Sequence, residues 1–286
     1  MAKAFNYLKT ARSAEVTMML GFPATGILFA FSTVSQLLSK ESFFFMIAIF
    51  FLSSAIYSFN ALSGIKEDES NERLKKDLGP QKKVFFIVTL LTFILLFIVF
   101  FYIIDLKLVF LSIFSFLLWS LYSFPRNGLK YKPVFGTTIH FVGQIIHFHM
   151  GYIIIDSFSL RSFLISIYFA ILFASGHINH ELIDYEADKK MKINSGAVYF
   201  GKKVWEKLSC ILFLISTIYI TALIFSGIVN RLHCLPFAAA GTVHLLYRLI
   251  FLKDNLEEER FLKERFFYRI AYFTAGLCFL LLKLVF

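Results

Sequence analysis

The chain has 286 residues, of which 58% are hydrophobic and 38 are phenylalanine, a composition that excludes a soluble globular domain and points to an integral membrane protein. Its 29 Lys and Arg against 19 Asp and Glu are distributed by loop, as topology requires, so the basic excess does not indicate a nucleic-acid partner. Cys210, Cys234 and Cys278 are scattered through apolar stretches without disulfide or metal-ligand spacing.

Nine segments, near 16–38, 42–63, 84–104, 107–124, 134–155, 160–180, 207–229, 234–252 and 266–285, have the roughly 20 residues needed to cross a hydrocarbon core of about 30 Å. The first apolar run is too long for a signal-peptide core and leads into eight more, so it is expected to be a retained helix. Of the 29 cations, 23 fall in the N-terminal tail, 65–83, 125–132, 183–207 and 253–269. Lys40, Lys107, Arg161, Arg231 and Lys283 fall in the alternate loops, and Arg248 inside the eighth span. This positive-inside pattern predicts a cytoplasmic N-terminus and an external C-terminus; a bacterial inner membrane is the expected location.

Met1–Glu15, with Lys3, Lys9 and Arg12, reads as a short basic arm. In the first span Gly21, Pro23 and Gly26 predict close helix packing and a kink. The second span, with Phe at 43–45 and 50–51, ends in an acidic cluster in which Asn60, Gly64 and Asp68 recur at i, i+4 and i+8 along one stripe. A charged loop, 65–83, follows. Spans three and four are joined by a short turn at Asp105–Lys107, and the fourth ends in Tyr122–Pro133, whose cations Arg126, Lys130 and Lys132 suit either a topology determinant or a phosphorylated headgroup.

In the fifth span His140, Gln144 and His147 share a helical face, which reads as an interior polar stripe in a cavity in preference to a metal site. The sixth span descends through His177 and His180 to Glu181, Asp184 and Asp188, with the two aspartates about 6 Å apart on one helical face. Lys189, Lys190, Lys192, Lys202 and Lys203 follow. Spans seven to nine carry no comparable cluster, and the mixed charges of 253–265 read as a solvated face.

Because spans two and six are four steps apart in an alternating topology, they run in the same direction, and both acidic clusters are expected at the same cytoplasmic end, facing each other across a cavity. Mg²⁺ typically binds through one or two carboxylates plus substrate phosphates, so two such clusters suit a diphosphate. Bound metal neutralises charge on the leaving group. Adjacent Lys and Arg add to that stabilisation. The membrane houses an apolar tail and keeps a developing carbocation from water.

These residues resemble the UbiA-type intramembrane prenyltransferase superfamily. Asp184-Tyr185-Glu186-Ala187-Asp188 with Lys192, Ser195 and Gly201-Lys202 is similar to its second Asp-rich motif and the loop after it. Tyr122-Ser123 through Lys130 and Pro133 is similar to its segment after helix four. Asn60, Asp68 and Asn71 match three positions of its first motif. The resemblance implies one all-α domain over 1–286: a polytopic bundle of nine transmembrane helices around a central cavity open to the cytoplasmic face. It also implies Mg²⁺ and an isoprenyl diphosphate substrate, with membrane lipid around the chain and no obligate protein partner. Asn60, Asp68, Asp184 and Asp188 would serve metal and diphosphate. Arg126, Lys130 and Lys192 would bind diphosphate, and Glu181 and Tyr122 would lie near the reacting carbon.

The sequence departs from the pattern twice. Gly64 stands where most prenyl-transferring members have aspartate, and Ser53 where members taking a benzoate-type acceptor have arginine. Both departures resemble the branch that cyclises isoprenyl diphosphates. A terpene cyclase acting on geranylgeranyl diphosphate is therefore the expectation. Prenyl transfer to an uncharged aromatic, quinone-precursor or lipid acceptor is the alternative. A non-catalytic scaffold or transporter would accommodate His140 and Gln144 but leave the paired clusters unexplained.

Overall fold

The computed structural model of the chain describes residues 13–64, 82–125, 127–251 and 256–286. Among them the regular structure is helical: α1 (Ser13–Met19), α2 (Gly21–Ala30), α3 (Val34–Leu37), α4 (Lys40–Ser63), α5 (Lys82–Ile104), α6 (Leu106–Ser123), α7 (Phe135–Tyr152), α8 (Leu160–Lys190), α9 (Gly196–Phe200), α10 (Lys202–Phe225), α11 (Arg231–Phe251) and α12 (Glu258–Val285), with a 3-10 turn at Leu129–Tyr131. Most of the basic arm, the loop at 65–81 and Arg126 lie outside the described residues.

Seven helices among the described residues are long and apolar enough to cross a membrane: α3–α4 taken together over Val34–Ser63, then α5, α6, α8, α10, α11 and α12. The other two expected spans are helical but fall short. Segment 16–38 is divided into α1, α2 and α3, and Gln36 Oε1 closes the last break by accepting from the backbone N–H of Ser32 at 2.8 Å and of Thr33 at 3.2 Å. Segment 134–155 is α7, whose apolar run is interrupted by His140, Gln144, His147 and His149.

The described residues form two compact units, one built from residues up to Tyr131 with Ile146–Phe158, the other from Lys132–Ile145 with Ser159–Phe286. In the first, phenylalanines lock α4, α5 and α6 together: Phe45 on Phe101 at 6.0 Å, Phe51 on Phe93 at 5.9 Å, and Phe116 on both Phe97 at 6.1 Å and Phe59 at 6.2 Å. Such pairs contribute about 0.5–1.5 kcal/mol each beyond their buried area. Two glycines let α2 meet the end of α7 backbone to backbone. A Cβ on Gly26 would lie 2.1 Å from the Phe148 carbonyl oxygen, and one on Gly151 would lie 1.9 Å from that of Pro23. The close packing expected of Gly26 is therefore present.

The second unit is held at one end by charge. Arg248 of α11 donates from Nη1 to Glu264 Oε1 of α12 at 2.5 Å and from Nη2 to Glu206 Oε1 of α10 at 2.6 Å. Arg260 donates to the same Glu206 oxygen at 2.9 Å, and His244 Nε2 lies 3.3 Å from Glu264 Oε1. Arg260 and Glu264 are buried, which corrects the reading of 253–265 as a solvated face. Among the described residues of that stretch, Glu257, Glu258, Glu259 and Lys263 are exposed. The cause is helical phase: residues 260 and 264 are one turn apart on the face that meets α10 and α11.

Helix α8 has 31 residues, about 46 Å by helical rise, and so exceeds a hydrocarbon core of about 30 Å by roughly three turns. The expected sixth span ends at residue 180, but the helix continues through His180–Lys190.

Removing one partner of a buried ion pair strands the other, which typically costs about 3–5 kcal/mol. Arg248→Met is therefore expected to destabilise the protein by about that amount in detergent unfolding. Lys263→Ala, which breaks the exposed pair with Glu259, is expected to leave the unfolding midpoint unchanged.

Candidate active site

The last three turns of α8 carry Asp184 and Asp188, the residues expected to form the second Asp-rich motif. Asp184 and Asp188 are half-buried and share a face. His180 Nε2 lies 3.4 Å from Asp184 Oδ2, while Arg265 Nη1 of α12 donates to His180 Nδ1 at 3.2 Å. An Nδ1 that accepts leaves the ring proton on Nε2, aimed at Asp184. Arg265 was missed in the sequence because it sits in the stretch read as solvated. Its spacing from Glu264 gave no hint that it reaches α8.

Glu181, on the same helix, is buried. Its Oε2 accepts from Trp205 Nε1 at 2.6 Å and from the Ala197 N–H at 3.3 Å, while Oε1 lies 3.8 Å from His177 Nδ1. Trp205 also stacks on Phe200 at 5.1 Å and joins an apolar cluster with Ile178, Leu182, Ile183, Ala197 and Phe261. A Cβ on Gly196 would lie 2.1 Å from the indole, so only glycine lets α9 begin there.

Between these anchors the chain turns sharply. Lys192 is exposed and has φ +57°, a left-handed conformation that costs a non-glycine residue roughly 1–2 kcal/mol. It is bracketed by its own N–H on the Lys189 carbonyl at 3.2 Å and by the Ile193 N–H on that of Asp188 at 2.9 Å. Lys202 pairs with Glu186 at 2.7 Å and sits over the Tyr185 ring at 4.6 Å.

In the first unit Asn60 is half-buried in the last turn of α4, and its carbonyl accepts from the Gly64 N–H at 2.9 Å. Asp68 and Asn71 lie outside the described residues. Tyr122 is half-buried at the end of α6, edge-on to Trp119 at 6.2 Å. Lys130 lies over the Tyr131 ring at 5.0 Å in a turn where a Cβ on Gly128 would come 2.5 Å from the Tyr122 carbonyl oxygen. Ser53 is buried.

The polar face of α7 is divided in its contacts. His147 Nε2 meets Ser115 Oγ at 2.8 Å in the first unit. In the second unit His140 donates from Nδ1 to the Gly136 carbonyl at 2.8 Å and packs on His177 at 3.6 Å, and His177 meets Thr137 Oγ1 at 3.3 Å. Gln144 is buried. Among the described residues no three His, Cys, Asp or Glu side chains cluster as a metal site.

The described residues are thus helical, with seven helices long and apolar enough to cross a membrane, a pair of aspartates near the end of α8 and lysines in the chain that follows it. The UbiA prenyltransferase family model matches residues 19–271, and the chain belongs to that family. Members of the family are enzymes that use isoprenyl diphosphates with Mg²⁺. No curated protein matches the chain. Among solved structures, a UbiA homologue from Archaeoglobus fulgidus aligns with TM-score 0.75 at 18% identity over 98% of both chains. The same homologue bound to GPP and Mg²⁺ aligns at 0.72 and 17% over 94% of this chain and 99% of that one. A digeranylgeranylglyceryl phosphate synthase aligns at 0.72 and 17% over 100% of both.

Arg265→Met removes the donor that sets the His180 tautomer. We expect kcat/KM to fall about tenfold, the scale of one charge-assisted hydrogen bond, with the unfolding midpoint nearly unchanged, as steady-state kinetics and a thermal melt would show.

Proposed function

We propose that the chain ionises an isoprenyl diphosphate, taken as geranylgeranyl diphosphate, and cyclises the resulting allylic cation to a terpene. The observation that carries the ionisation step is the half-buried Asp184–Asp188 pair at the overhanging end of α8, with lysines in the chain that returns from it. Two carboxylates fit Mg²⁺, which typically binds through one or two of them and draws its other ligands from water and substrate phosphate.

Asp184 and Asp188 would hold the metal in the second unit, and Asn60 and Asp68 have the same assignment in the first. When bound, Mg²⁺ offsets the charge that builds on the departing diphosphate. Lys192, Lys130 and Arg126 are assigned to its oxygens, and Tyr122 to the cation, which an aromatic face stabilises. The family match runs through residues of both units, which supports treating 1–286 as one functional domain. The distribution of cations supports a cytoplasmic N-terminus.

Cyclisation rests on Gly64 and Ser53. At Gly64 the first motif has one carboxylate fewer than a prenyl-transferring pattern. The buried Ser53 supplies no cation for an acidic aromatic acceptor. Fold likeness to a digeranylgeranylglyceryl phosphate synthase supports a second reading, transfer of the isoprenyl group to a lipid or quinone-precursor acceptor.

Membranes containing the protein, incubated with geranylgeranyl diphosphate and Mg²⁺ but no acceptor, are expected to release diphosphate and yield a cyclic hydrocarbon or alcohol by gas chromatography–mass spectrometry. Product that forms only after a lipid or quinone precursor is added would establish transfer instead. Asp184→Ala and Asp188→Ala are each expected to abolish turnover with the protein still in the membrane, and wild-type activity in either would remove the metal assignment. Gly64→Asp is expected to impair cyclisation; an unchanged rate and product would strip that position of meaning.

A further inference from the structure

We infer that Glu181 is a positioning residue, which with Trp205 latches the lysine-bearing segment 189–203 so that Lys192 is presented to the diphosphate beside Asp188. The inference rests on the diphosphate reading above. It differs from the expectation that Glu181 meets the reacting carbon.

Three observations carry it. First, Glu181 Oε2 is already engaged by two donors, the Trp205 indole at 2.6 Å and the Ala197 backbone at 3.3 Å. A buried carboxylate committed in this way fixes what surrounds it. Second, those donors lie on either side of the turn from α9 into α10, and Gly196 sits so close to the indole that a Cβ there would lie 2.1 Å from the ring. The segment is thereby tied back to α8 at a point five residues after Lys192. Third, Lys192 occupies a left-handed backbone conformation. A strained conformation persists only where its surroundings over-determine it, and such residues cluster at ligand clamps. The Asp188 and Lys189 carbonyls fix one side of Lys192, and the Glu181–Trp205–Ala197 latch fixes the other.

The buried ion network extends the same hold. Glu206 and Phe261 adjoin Trp205 in sequence and in the apolar cluster respectively, so Arg248 and Arg260 anchor the indole's own helix.

The test uses the full-length protein in membranes or detergent. Trp205→Phe keeps the ring and removes the donor. It is expected to raise KM for geranylgeranyl diphosphate about tenfold while kcat changes less than about threefold. Glu181→Gln retains an oxygen for both donors and is expected to stay within about threefold of wild type, whereas Glu181→Ala should behave like Trp205→Phe. In a Lys192→Ala background Trp205→Phe should add no further increase in KM, because the two act as one unit. Limited trypsin digestion should cut after Lys189, Lys190 or Lys192 faster in Glu181→Ala and Trp205→Phe than in wild type, at an unchanged global melting temperature.

Glu181→Gln as inactive as Glu181→Ala would mean that the carboxylate acts on the reaction itself, and the latch would be overturned. Additive effects of Trp205→Phe and Lys192→Ala would overturn it as well, as would unchanged trypsin cleavage. A wild-type protein that releases no diphosphate would sink the functional reading instead, while the cleavage rates would still report whether the latch exists.

Discussion

Helices surrounded by hydrocarbon gain little from hiding apolar side chains from one another, so polar contacts and close backbone approach decide how they meet. Arg248 shows this constraint at its strongest. Within the second unit it ties α10, α11 and α12 at one point through two glutamates, each of which also has a second partner. A buried cation of this kind is tolerable only because its guanidinium finds planar, two-sided acceptors. The registration of the three helices follows from it. With α10 and α12 fixed, Trp205 and Phe261 are fixed, and with them the apolar bed beneath Glu181.

The two units solve the packing problem with different materials. The first relies on phenylalanines stacked between α4, α5 and α6 and on glycines where α2 touches α7. The second adds charge to such pairs: the Arg248, Arg260, Glu206 and Glu264 network lies beside Tyr247 stacked on Phe267 at 3.9 Å. The aromatic wealth of the chain is thus partly structural. Phe45, Phe97 and Phe101 are fully enclosed by other side chains and have no face left for a substrate. A count of phenylalanines therefore says little about how much of a reaction cavity is aromatic.

Much of the architecture could be read in advance because apolar length is a strong signal. The helices that became α4, α5, α6, α8, α10, α11 and α12 all overlap their expected spans. The ends were harder. Helical hydrogen bonding does not stop where hydrophobicity stops, so α8 and α12 extend beyond their apolar cores by several charged turns. The first span fails for another reason: Gly21, Pro23 and the Ser32-Thr33 pair break it into pieces that hydropathy alone merges. At the candidate site, Asp184, Asp188 and Lys192 could be singled out by spacing. Arg265, Trp205 and the Arg248–Glu264 pair did not, because each acts on a helix distant in sequence, and nothing local records a partner 16 to 85 residues away.

The length of α8 has a further consequence. With its apolar turns set in a hydrocarbon core of average thickness, its final three turns would project beyond it, and the carboxylates would stand at the level of the headgroups. The position of the motif relative to the water boundary is then set jointly by the tilt of this helix and by the bilayer around it. A thicker membrane, or a more upright helix, would draw His180 and Asp184 toward hydrocarbon; a thinner one would lift them into water. Hydrophobic mismatch of this kind costs fractions of a kcal/mol per Å, small against the stability of the fold but comparable to the energies that tune a reaction rate. On the diphosphate reading, the lipid composition of the host membrane would then be a variable of the chemistry, acting through the depth of a single helix end.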